Sequence, residues 1–220
     1  ISDTIAFSLA GNYNRRDGYV FDAGQNTDSS DRNRYGFRGQ LLWQPSADLK
    51  FRLIGDYDLI DENCCAIVNI VAGPTRGILE AINGGRPVYD ANNPFSYVTY
   101  SNYPSANNIK NYGWSLQGDY TMGNLGLTSI TSYRKVDSLT NQDSDFTSVD
   151  AIGRNSADLK IDTFTQELRL ASNFEGAFNF LLGGFYFNEK INQQNNIVYG
   201  TQFRPYGNAL IQAGTGGALN

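Results

Sequence analysis

The groups able to do chemistry in this chain are carboxylates, guanidiniums, phenols and two thiols. Histidine is absent from its 220 residues. That removes imidazole metal ligation, histidine acid–base catalysis and histidine haem ligation within the chain. The two cysteines, Cys64 and Cys65, are neighbours. Adjacent cysteines cannot staple distant parts of a fold, so three states stay open: a strained vicinal disulfide, free thiols, or pairing with cysteines elsewhere. Asp143, Asp145 and Asp150 offer the oxygen ligands that calcium takes. Their spacing lacks the EF-hand ladder and its turn glycine, so a solvated acidic loop is expected rather than a metal site. No nucleophile stands in a triad-like set and no phosphate loop is present. The chain is therefore not expected to be an enzyme or to carry a cofactor.

Two further groups of residues suit binding. The stretch from about Asp58 to Lys110 holds Cys64, Cys65, Arg76, Arg86, Tyr89, Phe95, Tyr97, Tyr100 and Tyr103. Arginines interleaved with tyrosines suit capture of an aromatic or anionic small molecule. The alternative is that the tyrosines pack the loop on itself. The second group is Arg38, Arg52, Asp56, Asp119, Glu167 and Arg169. These charges are expected either to touch a ligand or an inserted domain, or to satisfy one another in an internal salt-bridge network. Net charge is −5 and no basic cluster stands out in the sequence. Neither nucleic acid nor anionic lipid is an expected partner on that ground.

The elements that position these residues follow from composition and period. Aromatic residues make up 13% of the chain and glycines number 23, yet mean hydropathy is −0.40. No apolar run approaches the roughly 18 residues of a membrane-spanning helix. Seven segments instead alternate with period 2. Their apolar frames are Ile5 to Tyr13, Tyr35 to Trp43, Leu49 to Tyr57, Tyr112 to Tyr120, Leu125 to Tyr133, Phe164 to Leu170 and Phe178 to Tyr186. The 34 in-frame positions hold no charge, whereas the 27 between them hold seven, including all six of the second group. One face avoids water and the other accepts it.

Six of the frames run eight residues between large side chains and carry Tyr at one or both ends. At about 3.3 Å per residue and a tilt of about 40°, each covers roughly 20 Å of depth. That matches an apolar band bounded by aromatic girdles, where Tyr keeps its ring in lipid and its hydroxyl in water. A soluble sandwich, such as a glycan-binding or adhesion module, has no reason for Tyr at that constant spacing. Connections after the second, fourth and sixth strands are short, around Pro45 to Asp48, Thr121 to Asn124 and Ser172 to Ala177. Those after the others are long. This is the layout of outer-membrane barrels, with short periplasmic turns and long extracellular loops. Pairing in the aromatic frame places Arg34 nearly opposite Asp58. No helical period is expected anywhere.

Several stretches carry a resemblance to a known family. They are Asn14-Arg15-Arg16-Asp17-Gly18-Tyr19, Gln40-Leu41-Leu42-Trp43-Gln44-Pro45-Ser46-Ala47-Asp48-Leu49 and Leu127-Thr128-Ser129-Ile130-Thr131-Ser132-Tyr133-Arg134. Two more are Phe164-Thr165-Gln166-Glu167-Leu168-Arg169-Leu170-Ala171-Ser172 and Gly183-Gly184-Phe185-Tyr186-Phe187. In this order they resemble the barrel of TonB-dependent receptors. The resemblance implies an all-β antiparallel transmembrane barrel of 22 strands, of which residues 1–220 are a partial domain with both ends cut. It implies an outer-membrane receptor that takes up a siderophore-like chelate or another scarce nutrient. Its partners would be outer-membrane lipid, the remaining barrel strands, a plug domain, TonB (reached through the plug end) and the small-molecule ligand.

Overall fold

The computed structural model describes residues 2–217. In chain order the elements are β1 (Ile5–Arg16), β2 (Val20–Asp22), β3 (Thr27–Ser29), β4 (Arg32–Ser46), β5 (Leu49–Glu62), α1 (Arg76–Ile82), β6 (Val98–Thr99), β7 (Ala106–Met122), β8 (Leu125–Gln142), β9 (Ile152–Ser172), β10 (Leu181–Tyr199) and α2 (Phe203–Thr215). Seven of them form one antiparallel sheet in the order β1-β4-β5-β7-β8-β9-β10. Each contains most or all of one period-2 segment. The sheet is open, and its edges are β1 and β10.

Turn chemistry sets the register. Met122 pairs with Leu125 across Gly123 and Asn124, and Gly123 takes the positive φ of 62° that such a two-residue hairpin loop requires. Pro45 removes a ladder donor where β4 ends, and the register shifts there before Ser46 pairs with Leu49. At the third turn Asn179 closes an eight-residue loop, accepting from the Phe174 N–H and donating to the Phe174 carbonyl. That loop keeps Phe178 outside β10, so the seventh apolar frame begins four residues later than its sequence pattern suggests.

Large side chains of the sheet's apolar face stand exposed, Phe7 at 63%, Leu9 at 75% and Leu182 at 66%. The buried apolar cluster lies instead in the long loops, where Val88, Tyr89, Val149 and Ala151 pack with Leu79, Ile82, Ala91 and Tyr100. The sheet thus needs an apolar surrounding, while the loops carry their own small core. No helix among the described residues is long and apolar enough to cross a membrane.

Tyrosines bind the strands together at one depth. Tyr13 pairs with Tyr35, Tyr35 stacks on Tyr57 at 6.2 Å and Tyr57 on Tyr112 at 6.1 Å. The line continues through Tyr133, its partner Phe164, and Tyr186, whose ring lies 6.2 Å from Phe164. At alternate strand boundaries it steps two residues toward the short turns. Such a stagger is what tilted strands of a barrel wall require.

Four features depart from the sequence expectations. Two short helices form in the long loops, where no helical period was expected. The small sheet β3-β2-β6 joins the first and second long loops, with β2 and β6 parallel. The longest loop is 63–105, because Asp58 and Lys110 extend strands β5 and β7 beyond the aromatic frame. Finally, Asp58 pairs with Gly36, and Arg34 meets Glu62 instead. The strands continue far enough past the girdle for that diagonal partner to come within reach.

Candidate functional site

The charged face of the sheet holds Arg38, Arg52, Asp56, Asp119, Glu167 and Arg169, because alternation turns them away from the tyrosine line. Asp56 is their centre. Its Oδ1 accepts from Arg134 at 2.8 Å and lies 3.9 Å from Arg38. Arg134 also donates to Asn111 at 2.7 Å. Asp119 accepts from Thr128 at 2.8 Å and Gln117 at 2.9 Å, with Lys50 at 4.0 Å. Glu167 pairs with Arg169 at 2.9 Å. Arg52 stands apart, since no ion pair or hydrogen bond engages its guanidinium among the described residues.

Above this face, on the long-loop side, the loops build a roof. Arg76 donates to Glu80 at 2.8 Å within α1 and lies 5.2 Å over the Tyr89 ring. Tyr89 is 7% exposed and belongs to the roof core, and its hydroxyl accepts from the Gly73 N–H at 3.2 Å. Tyr100 packs against the same core, and Tyr103 lies under Arg154 at 6.0 Å. These three tyrosines pack the loops together. Arg86 is exposed, as are Phe95 at 84% and Tyr97 at 64%. The expected binding residues therefore do not form one cluster. The structure instead brings Tyr97 against Tyr19, edge to face at 6.0 Å, with Arg16 4.7 Å over the Tyr19 ring. Tyr19 and Arg16 belong to a stretch that carries the family resemblance, but no sequence pattern marks them as binding residues. What carries them there is the parallel β2–β6 pairing of segments about 80 residues apart, which no local pattern reveals.

Beneath the roof, Cys64 and Cys65 line a cavity of about 350 Å³ with Asn107, Thr140, Gln142, Asn155 and Ala157. Both cysteines are free. Burial, and then the hydrogen bond from Cys65, push the Cys64 thiol up to about 12. At neutral pH it is a thiol, not a thiolate.

The three aspartates are staples and not a solvated cluster. Asp143 is 3% exposed and accepts from the N–H groups of Asn102, Asp145 and Phe146. Burial, and then the charge of Asp145, push its carboxyl up to about 7. Asp145 is also raised, first by burial, and accepts from Ile152 at 2.7 Å. Asp150 is lowered by the N–H and hydroxyl of Thr201, at 2.8 and 2.7 Å. Among the described residues no group of acidic or thiol side chains is placed to hold a metal ion.

A long-stranded antiparallel sheet, apolar on one face and charged on the other, with tyrosines at one depth, defines a class: the wall of a bacterial outer-membrane barrel. The particular likeness is to the ferric yersiniabactin uptake receptor FyuA from Yersinia pestis. That structure superposes with a TM-score of 0.64 over 90% of this chain, at 13% sequence identity. The fold is that of a TonB-dependent receptor barrel, present as an open segment. The chain spans 28% of the length of that receptor. Neither a protein-family model nor any curated protein matches it.

Proposed function

We propose that residues 1–220 are a stretch of the barrel domain of an outer-membrane receptor that takes up a scarce nutrient with energy supplied through TonB. The nutrient class we assign is a siderophore-like iron chelate. One observation carries this reading: the chain, whose sheet has two contrasting faces, superposes over 90% of its length on a ferric yersiniabactin uptake receptor. The apolar face then meets outer-membrane lipid, and edges β1 and β10 meet the remaining strands of the barrel. The charged face lines the lumen and meets a plug domain. Most of its charges satisfy one another, which leaves Arg52 as the group free for the plug or for a passing anionic chelate. Tyr97, Tyr19 and Arg16 form the exposed aromatic surface that first meets the ligand. TonB is reached through the plug, outside these residues. The mechanism calls for binding and gating, with no enzymatic step.

The test is accumulation of radiolabelled ferric siderophores by cells carrying the complete receptor, with and without a proton-motive force. Energy-dependent accumulation of at least one chelate supports the reading. A complete, surface-exposed receptor that binds no chelate in a broad panel but retains soluble glycans would overturn it in favour of adhesion.

A further inference from the structure

Cys64 and Cys65 present their sulfur atoms as a pair. Cys65 Sγ lies 2.7 Å from Cys64 Sγ, so both can reach a single third atom. The backbone around them is pinned from two sides. The Asn63 carbonyl accepts from the Ser30 N–H at 2.8 Å, and the Asn63 N–H donates to Asp31 at 2.6 Å. Beyond the pair, the Ile67 carbonyl accepts from the Thr99 hydroxyl at 2.6 Å. The thiols are therefore held together before any ligand arrives, which lowers the ordering cost of engaging both.

The cavity of about 350 Å³ beside them is floored by the upper end of the sheet. Alternation turns Asn107 of β7, Thr140 and Gln142 of β8 and Asn155 and Ala157 of β9 to the side that carries Asp119 and Glu167. Among the described residues no charged side chain lines this cavity. Asn141 joins the lining, and its buried carboxamide oxygen has no donor among the described residues. Amide and hydroxyl walls without charge suit a neutral ligand, and the volume is that of a small organic molecule.

We propose that Cys64 and Cys65 form a dithiol site for a neutral, trivalent organoarsenical. Two S–H bonds and two As–OH bonds break, two As–S bonds form, and two water molecules leave with the thiol protons. Arsenic stays trivalent, so no oxidant or reductant is consumed. Cys65 is exposed and reacts first. Cys64, partly buried behind it, then closes the ring in an intramolecular step at high effective concentration. Trivalent arsenic holds its sulfur ligands at nearly right angles to one another, which suits sulfurs this close. Copper(I) sets two thiolates on opposite sides and would need them far apart. The organic substituent on arsenic then lies in the cavity against the amides.

The test uses the complete receptor, purified in detergent without reductant, with phenylarsine oxide as the probe. Adducts are counted by intact mass spectrometry, and folding of each preparation is scored by heat-modifiable electrophoretic mobility. The wild type should take one phenylarsine group at this pair, hold it against excess monothiol and release it to a dithiol. Cys64→Ser and Cys65→Ser should each lose the group to the monothiol about a hundredfold faster. The variant carrying both changes sets the baseline from cysteines elsewhere in the chain. Ala157→Phe, which fills the cavity, should speed loss of the phenylarsine group and leave loss of inorganic arsenite unchanged. An equal effect on both would overturn the placement of the substituent. A wild-type adduct lost to the monothiol as fast as those of the single variants would overturn the dithiol site. So would a folded wild type that binds no probe because its two cysteines have already joined in a disulfide.

Discussion

Arg134 of β8 reaches Asp56 of β5 at 2.8 Å across an entire intervening strand. The residue between them in the register is Gly113 of β7. With no side chain at that point, the guanidinium lies over the β7 backbone and meets a carboxylate two strands away. Three strands are thereby tied at one level of the charged face, with Arg38 of β4 extending the tie to a fourth.

Filling that gap should loosen the wall. A Cβ on Gly113 would sit 2.6 Å from the Tyr133 carbonyl oxygen and 3.1 Å from Arg134 Cα, both backbone atoms that cannot swing aside. Gly113→Ala should cost about 1–3 kcal/mol, as overpacking does, measured by urea unfolding of the full-length protein in vesicles. The ion pair itself is partly solvated, with Arg134 43% exposed. A double-mutant cycle on Asp56→Asn and Arg134→Gln should return about 1 kcal/mol or less. A Gly113→Ala protein as stable as the parent would show that the strands part there without strain.

The long loops should respond to pH in a defined direction. Asp143 in the folded loop titrates near 7, whereas an exposed aspartate titrates near 4. Between those values the folded loop keeps a proton that the opened loop releases. Loop stability from this group is therefore full below about pH 4 and is lost as pH rises through about 7. Asp145 acts in the same direction. Asp150, which is lowered, acts oppositely, and its contribution fades only on the acid side. Hydrogen-exchange protection of the Asp145 and Phe146 amides, corrected for intrinsic rate, should be greater at pH 5 than at pH 8. Equal protection at both would mean that Asp143 is not buried as described.

How far the sequence could be read depends on where lipid governs the pattern. Between the girdles each outward position must be apolar, so alternation is enforced and all seven strands are legible. Above the girdle both faces meet polar surroundings. The run Asn188–Asn196 of β10 is mostly polar on either side and gives no period, although the ladder continues to Tyr199. The roof was opaque for a different reason. Its core is four buried residues, Val88, Tyr89, Val149 and Ala151, drawn from two loops. Tyr89 therefore looks like a binding residue until Val149 is placed against it. On the charged face alternation alone placed the six residues. It did not reveal that Glu62, beyond the frame, would take Arg34.

The two cysteines should differ in reactivity although they are adjacent. They lie in the long loop above β5, so a membrane-impermeant maleimide applied to intact cells should reach them in the full-length protein. Cys65 is exposed, while Cys64 is partly buried with its thiol pushed up to about 12. Thiolate supply limits alkylation. Cys64→Ser, which leaves Cys65, should label faster at pH 7.5 than Cys65→Ser, which leaves Cys64. Labelling of either only after the outer membrane is permeabilised would invert the proposed topology.

The facing of the wall is tested most directly at Leu53 and Ile54, neighbours in the middle of β5. Leu53 pairs with Leu41 and Leu116 on the apolar face and is 42% exposed there. Ile54 pairs with Gln40 and Ser115, on the face that carries Arg52 and Asp56. Leu53→Arg would set a guanidinium near the bilayer midplane, at a cost of about 2–4 kcal/mol. Ile54→Arg would set the same group two residues from Asp56, among hydrated polar neighbours, and should cost less than about 1 kcal/mol. Arg38 and Arg134 already share Asp56, so their repulsion adds a small penalty that rises at low salt. Folding of the full-length barrel into lipid vesicles, in a plug-deleted background, should therefore rank Leu53→Arg clearly below Ile54→Arg. If Ile54→Arg proved equally or more damaging at high salt, where charge repulsion is screened, the apolar face of β5 would not be the one that meets lipid.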